Sequence, residues 1–363
     1  MGTVSVERAE GIERNLPYEP DYAVPPGETL EEVLDELGLS QAELARRTNR
    51  PEKTINEIIK GKAAITLGTA FQFERVTGVS ARLWLNLERD YRAALVRQTE
   101  REQLRERVGW LEGFPYGTLM SRKLVRDVSD PVDRLCESLH FFGVANLEAW
   151  DNVWGDMQVA YRHSATYVGE PKALAAWLRC GEIQARQVQC APFDRAAFLR
   201  ILRAIRLLTP QRFEQIRERI GEFCASAGVA LVFTRELPGT HVFGATRWLS
   251  PQKAILQLSL RFPSDDQRWF AFFHEAAHIL LHGKKEKFVH ASGRAGQAEA
   301  GTIDGVEAEA DAWAADFLIP RRELQAFIDR GAFDSASIET FADALGIAAG
   351  IVVGQLQHHK VIR

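Results

Sequence analysis

The stretch RWFAFFHEAAHILLHG, residues 268–283, holds two histidines four positions apart with a glutamate directly after the first. On an α-helix residues four apart share a face, so His274 and His278 can each offer a ring nitrogen to one metal ion. Glu275 stands about 100° around the helix from His274, near enough to hold a water on the ion but poorly placed to ligate. That division of labour suits zinc-assisted hydrolysis of an amide. The ion lowers the pKa of the water and polarises a carbonyl, while the glutamate accepts the water's proton and passes it to the leaving amine. The competing reading is a core helix with a hydrogen-bonded histidine pair. Trp269, Phe270, Phe272, Phe273, Ile279 and Leu280 make this helix too apolar for a surface, so its imidazoles and carboxylate need compensation, which a metal supplies.

A catalytic zinc takes three protein ligands and keeps one position open. The downstream segment DGVEAEADAWAADFLIP offers Glu307 and Glu309, which stand about 200° apart on a helix, so at most one can point at the ion. Glu307 shares a stripe with Ala310, Asp311, Ala314 and Leu318, small and apolar enough to face inward, and is the expected third ligand. Asp311, one turn on, is then placed to accept from a ligand histidine and fix its tautomer. For the oxyanion of a tetrahedral intermediate the candidates are His241, Arg247, Arg261, His282 and His290, since no tyrosine follows Tyr167. His282 also suits a plainer role at the helix end.

The elements that position these groups show a change of period. GVALVFTREL, THVFGATRWL and KAILQLSLRF are short, β-branched and separated by Gly or Pro turns, which predicts three strands before a helix over 266–282. AILQLSL, next to that helix, is expected to be an edge where an extended peptide can pair. The tail after residue 335 reads as two more helices covering the core. HEAAHILLH with EAEADAWAADFLIP resembles the ImmA/IrrE family of zinc metallopeptidases over roughly residues 225–360. The resemblance implies zinc on His274, His278 and Glu307 with Glu275 as catalytic base. It also implies a repressor or antitoxin protein as substrate, cleaved or inactivated in the cytoplasm. Where this chain has Asp311 the family often has Asn.

Nearer the N-terminus short helices alternate with clear stops. Ser40 with Glu43 suggests a capping box opening SQAELARRT. Pro51 suits the first turn of RPEKTINEIIK and Gly61 its exit, while Thr66 and Ser80 look like caps of two further helices, the last over SARLWLNLERDYRAAL. With TLEEVLDELG ahead of them, five short helices follow the plan of a helix-turn-helix domain. SQAELARRTNRPEKTINEIIKGKAAIT resembles the helix-turn-helix of the XRE family and, with GTAFQFERVTGVSARLWLNLERDY, its HigA-type antitoxin branch. The residues add a local positive excess: Arg46, Arg47, Arg50, Lys53, Lys60 and Lys62 against Glu52 and Glu57. The resemblance makes 51–60 the recognition helix, with Glu52, Lys53, Thr54, Asn56 and Glu57 toward base edges and Arg46, Arg47 and Lys60 toward phosphates. It implies operator DNA as partner of residues 40–62. A homodimer on a palindromic site is expected by analogy.

Length and composition bound the rest. A chain of 363 residues exceeds what one core usually serves. The expected fold is multidomain and mainly α: a lead-in over 1–25, a five-helix helix-turn-helix bundle over 26–95, a helical scaffold over 96–225, and over 226–363 a small α+β, zincin-like metallopeptidase domain. A formal charge of −4 excludes nucleic-acid binding by bulk charge and requires a local patch. No apolar run approaches a membrane span, no secretion signal opens the chain, and its four cysteines lack CxxC spacing, which together predict a cytoplasmic protein without a membrane partner. Two functions follow: a regulator that binds DNA and cleaves a repressor or antitoxin with a zinc endopeptidase, or a DNA-binding repressor whose peptidase-like domain is a sensor or partner-binding module.

Overall fold

The computed structural model describes residues 23–155, 170–262, 264–282, 288–291 and 303–362. Most of the expected lead-in lies outside the described residues. Packing divides the chain into two compact units, Met1–Gly109 with Val128–Leu135, and Trp110–Asp127 with Cys136–Arg363. No single described helix is long and apolar enough to cross a membrane.

The first unit is helical: α1 (Pro26–Glu36), α2 (Gln41–Thr48), α3 (Glu52–Ile59), α4 (Leu67–Thr77) and α5 (Ala81–Arg105). Ser40 accepts from the N–H of Glu43, Thr66 from Thr69 and Ser80 from Leu83, each contributing about 1 kcal/mol by satisfying a donor that a helix start leaves open. The expected capping box is half formed, because the Glu43 carboxylate turns to Arg46 and Arg47. Pro51 is the residue before α3 and not within its first turn. Asn49 takes the left-handed conformation that turns α2 into α3, and Gly61 does so at the exit of α3 (φ 67°). Leu30, Leu44, Ile55, Ile58, Phe73 and Trp84 form the core. The last helix runs past the expected residue 95 to Arg105, since neither Gly nor Pro interrupts it.

The second unit begins with α6 (Tyr116–Ser121), followed by α7 (Pro131–Phe142), which straddles the division, and α8 (Leu147–Trp150). Then come α9 (Pro171–Gln187), α10 (Arg195–Arg206), α11 (Phe213–Ser226), β1 (Val229–Thr234), β2 (Val242–Ser250), β3 (Lys253–Ser259), α12 (Asp265–Leu281), β4 (Phe288–Ala291), α13 (Ile303–Leu318), α14 (Arg321–Arg330), α15 (Ser335–Leu345) and α16 (Ala349–His358).

The described sheet has four strands in the order β1-β3-β2-β4, one more than the three expected. Strand β3 pairs parallel with β1 and antiparallel with β2, and β4 pairs antiparallel with β2. This corrects the reading of AILQLSL as an edge: β3 is interior, and its nearly unbroken apolar sequence is that of a strand covered on both faces. Val229, Leu231, Leu256 and Leu258 face a core shared with α11 and α12. Ala230, Val232 and Ile255 alternate to the opposite face and pack with Ala185 of α9. The helices between residues 171 and 226 thus belong to the same unit as the sheet.

Candidate metal centre and nucleic-acid interface

Helix α12 is inserted almost entirely into the core. Trp269, Phe272 and Phe273 are buried, with the Trp269 ring 4.7 Å from that of Phe213, so the helix has no freedom to turn its polar residues outward. His274 and Glu275 are 0% exposed and His278 1%. Helix α13 lies against α12 and brings Glu307 to the histidines. His274 Nε2 is 3.1 Å from Glu307 Oε2, His278 Nε2 is 3.4 Å from Glu307 Oε1, and the two Nε2 atoms are 3.0 Å apart. Asp311 Oδ1 stands 2.8 Å from His274 Nδ1. When that nitrogen donates to Asp311, the Nε2 lone pair is left for the cluster. The other glutamate, Glu309, is 60% exposed at its side chain and 4.0 Å from His282.

Three electron-pair donors facing one another cannot stand without a positive charge among them. A proton can supply it: burial opposes one on His274, but the Asp311 and Glu307 carboxylates overcome burial and lift His274 to about 10. Burial would raise Glu307, yet hydrogen bonds from both imidazoles hold it well below the carboxylate range. His278, penalised chiefly by burial, falls to about 4. A divalent cation satisfies the same donors. Ligands at zinc distances in a tetrahedral array stand roughly 3.3 Å apart, and the three separations here bracket that spacing. The His, His, Glu donor set fits zinc.

Glu275 turns from this cluster toward β2. The Thr246 hydroxyl donates to Glu275 Oε2 at 2.7 Å and lies 3.1 Å from the Glu275 carbonyl oxygen. A methyl group on Gly244 would stand 2.5 Å from Glu275 Oε1, so only glycine leaves room for the carboxylate. The β2–β4 register shifts between Val242 and Gly244, a bulge that breaks the regular ladder beside the carboxylate. Oε1 is buried and has no hydrogen-bond partner among the described residues, and burial raises Glu275 to about 8 despite the His274 charge and the Thr246 hydroxyl. Neither Thr246 nor Gly244 belongs to a local motif. Their roles arise from strand alternation plus a pairing that sequence spacing does not show.

The same alternation removes Arg247 from the oxyanion candidates. It faces the other side of β2, donates to the Leu178 carbonyl oxygen at 2.7 Å and pairs with Glu182 on α9 at 3.2 Å. His241 and Arg261 pair with each other at 3.1 Å, and His282 closes α12 with its ring 5.1 Å from that of His278. The His290 side chain lies outside the described residues.

In the helical unit, Ile55, Ile58 and Ile59 anchor α3, while Glu52, Lys53 and Lys60 are exposed and Thr54, Asn56 and Glu57 half-buried. Arg46 and Arg47 are exposed but share the Glu43 carboxylate, at 2.7 and 2.6 Å, which holds Glu43 down to about 2. Arg50 is tied to Gln72 of α4 at 2.6 Å. Lys53 is 85% exposed at its side chain and only loosely paired with Glu57 at 3.8 Å, and Lys60 is exposed as well.

Residues 30–84 match the helix-turn-helix family model, and residues 232–353 match the peptidase M78 model, described as the IrrE N-terminal-like domain. The uncharacterized HTH-type transcriptional regulator YddM of Escherichia coli (strain K12) is 36% identical over 74 residues, 20% of this chain and 79% of that protein. Virulence-associated protein I of Dichelobacter nodosus is 38% identical over 77 residues, 21% of this chain and 71% of that protein. Among solved structures, the Pseudomonas aeruginosa antitoxin HigA with the higBA promoter is 31% identical, covering 23% of this chain and 90% of that one with a TM-score of 0.22.

Proposed function

Because this chain belongs to the helix-turn-helix family over residues 30–84 and carries an IrrE N-terminal-like domain over residues 232–353, we propose that it is a DNA-binding regulator with a zinc-dependent endopeptidase directed at a regulatory protein, such as a repressor or antitoxin. The observation that carries the proposal is the meeting of His274 Nε2, His278 Nε2 and Glu307, all within 4.8 Å, beside a buried carboxylate with one oxygen held and the other open.

His274, His278 and Glu307 would hold the ion. When bound, zinc supplies Lewis-acid polarisation of a peptide carbonyl and a lowered pKa for water. Asp311 keeps His274 in the tautomer whose Nε2 faces the cluster. Glu275 takes a proton from the attacking water at Oε1 and returns it to the nitrogen as the C–N bond breaks. Thr246 holds Oε2 and so aims the other oxygen. On DNA, Glu52, Lys53, Thr54, Asn56 and Glu57 of α3 meet base edges, and Arg46, Arg47 and Lys60 meet phosphates. The regulator works in the cytoplasm, as a homodimer on its operator.

Elemental analysis of wild type, Glu275→Gln and Glu307→Ala, beside a cleavage assay against proteins encoded next to its gene, tests the enzyme. The expected result is about one zinc per chain in wild type and Glu275→Gln, less in Glu307→Ala, and cleavage by wild type alone. Zinc in all three without cleavage would favour the sensor or partner-binding reading. No zinc in any would make the histidine pair a core feature.

A further inference from the structure

Outside the metal centre, the second unit has an open cleft of about 730 Å³ where β1 and β3 end and β2 begins, walled on the far side by α6. Arg122, Arg235 and Arg261 converge on it with Glu236 and His241. Four other arginines of this unit are matched by carboxylates, Arg179, Arg186 and Arg247 by Glu182 and Arg268 by Glu214 and Asp265, while Arg195 and Arg206 donate to backbone carbonyl oxygens. None of the three cleft arginines forms an ion pair with a carboxylate among the described residues. Arg122 donates to the backbone carbonyl oxygens of Arg235 and Glu236, which fixes the wall but neutralises no charge. Glu236 accepts from the Ser259 hydroxyl at 3.2 Å and Arg261 leans on the His241 ring. One carboxylate therefore faces three guanidinium groups. In a chain of net charge −4 this is a local excess that repels itself until an anion enters.

The location says what kind of anion. His241 is three residues before Gly244, where an added methyl group would collide with the Glu275 carboxylate, so the cleft begins ~10 Å along β2 from the strand position beside that carboxylate, about the reach of three residues of extended peptide. It is an open trough and not a closed chamber, which suits a chain passing through. We infer that this cleft is a specificity subsite that takes the acidic side chains of the peptide to be cut, roughly three residues from the bond broken. Arg235 and Arg261 bind the carboxylates and Arg122 holds the wall in place. The peptide character of the occupant rests on the peptidase reading, whereas the preference for negative charge rests on the cleft alone.

The test is fluorescence anisotropy with a labelled eight-residue peptide rich in Asp and Glu and its Asn/Gln counterpart, each bound to the full-length Glu275→Gln chain. The double variant Arg235→Ala/Arg261→Ala probes the cleft. The double variant Arg46→Ala/Lys53→Ala controls for capture by the helix-turn-helix. The acidic peptide is expected to bind about tenfold more tightly than the neutral one, a preference lost with Arg235 and Arg261 and kept without Arg46 and Lys53. Equal binding of the two peptides overturns the inference, as does loss of the preference in the helix-turn-helix variant. Inorganic phosphate binding in the cleft without any preference between peptides overturns it too, in favour of a small-anion site. Selective binding by a wild-type chain that cuts nothing upholds the cleft and rejects the peptidase reading instead.

Discussion

On α2, exposed Arg46 and Arg47 share the Glu43 carboxylate, whereas on α12 two buried imidazoles, His274 and His278, share the partly exposed Glu307 carboxylate. The exposed trio is complete in itself, and water and salt screen whatever it lacks. The two buried imidazoles have no such medium, so a change of charge on them must be answered by a proton or a cation within the cluster. The difference teaches where each kind of function is sensitive: the DNA-facing surface can lose a charge and degrade gradually, while the buried site tolerates no missing partner.

The largest expected effect comes from the group that does chemistry without holding the ion. Glu275→Gln should lower kcat by about 10³-fold with zinc content and fold unchanged, measured by cleavage beside elemental analysis and circular dichroism. Equal zinc loss would mean that Glu275 is part of the metal cluster after all. Asp311→Ala, which leaves all three ligands in place, should weaken zinc by about 10- to 100-fold, read by competition with a chelator. Unchanged affinity would show that the His274 tautomer needs no outside partner.

Next is the strand behind Glu275. Thr246→Val should cut kcat by about tenfold with KM little changed, and Thr246→Ser should restore it, because only the hydroxyl aims the carboxylate. Gly244→Ala should destabilise the chain by about 1–3 kcal/mol in urea denaturation, since the methyl group and the carboxylate compete for one space.

The metal-free chain offers a pH test. Glu275 has a folded pKa of about 8, above its unfolded value, so its contribution to stability is present at low pH and lost as pH rises toward 8. Glu307, held low when folded, contributes in the opposite sense and is lost on acidification. In chelator-treated protein Glu275→Gln should remove the component of the decline that runs between about 4.5 and 8, at most about 1.4 kcal/mol per pH unit, while the component belonging to His274, between about 6.5 and 10, remains. An unaltered curve would place the proton elsewhere in the cluster.

The smallest effects belong to the exposed face. Lys60→Ala should weaken operator binding severalfold and reduce the salt slope by about 0.9, the signature of one lost phosphate contact. If instead sequence preference changed and the slope did not, Lys60 would be reading a base.

What could be read from the sequence divides along the same line. The caps Ser40, Thr66 and Ser80, the exit at Gly61 and the HEAAH spacing are local, so residue types a few positions apart suffice to find them. Glu307 was reachable because a helix has one angular period, and its stripe of small residues separates it from Glu309. Thr246, Gly244 and the interior place of β3 were not, since strand order is decided by pairings between segments distant in sequence. Parity along β2 was available, however: once Thr246 faces α12, its neighbour Arg247 must face α9.

The double-sided burial of the sheet also bears on how such a chain could be taken apart or recombined. Excision at residue 226 would strip α9 from Ala230, Val232 and Ile255 and remove the carboxylate that matches Arg247. The span recognisable by kinship, 232–353, is therefore shorter than the piece able to travel between proteins as a stable module, which carries its own upstream helices with it.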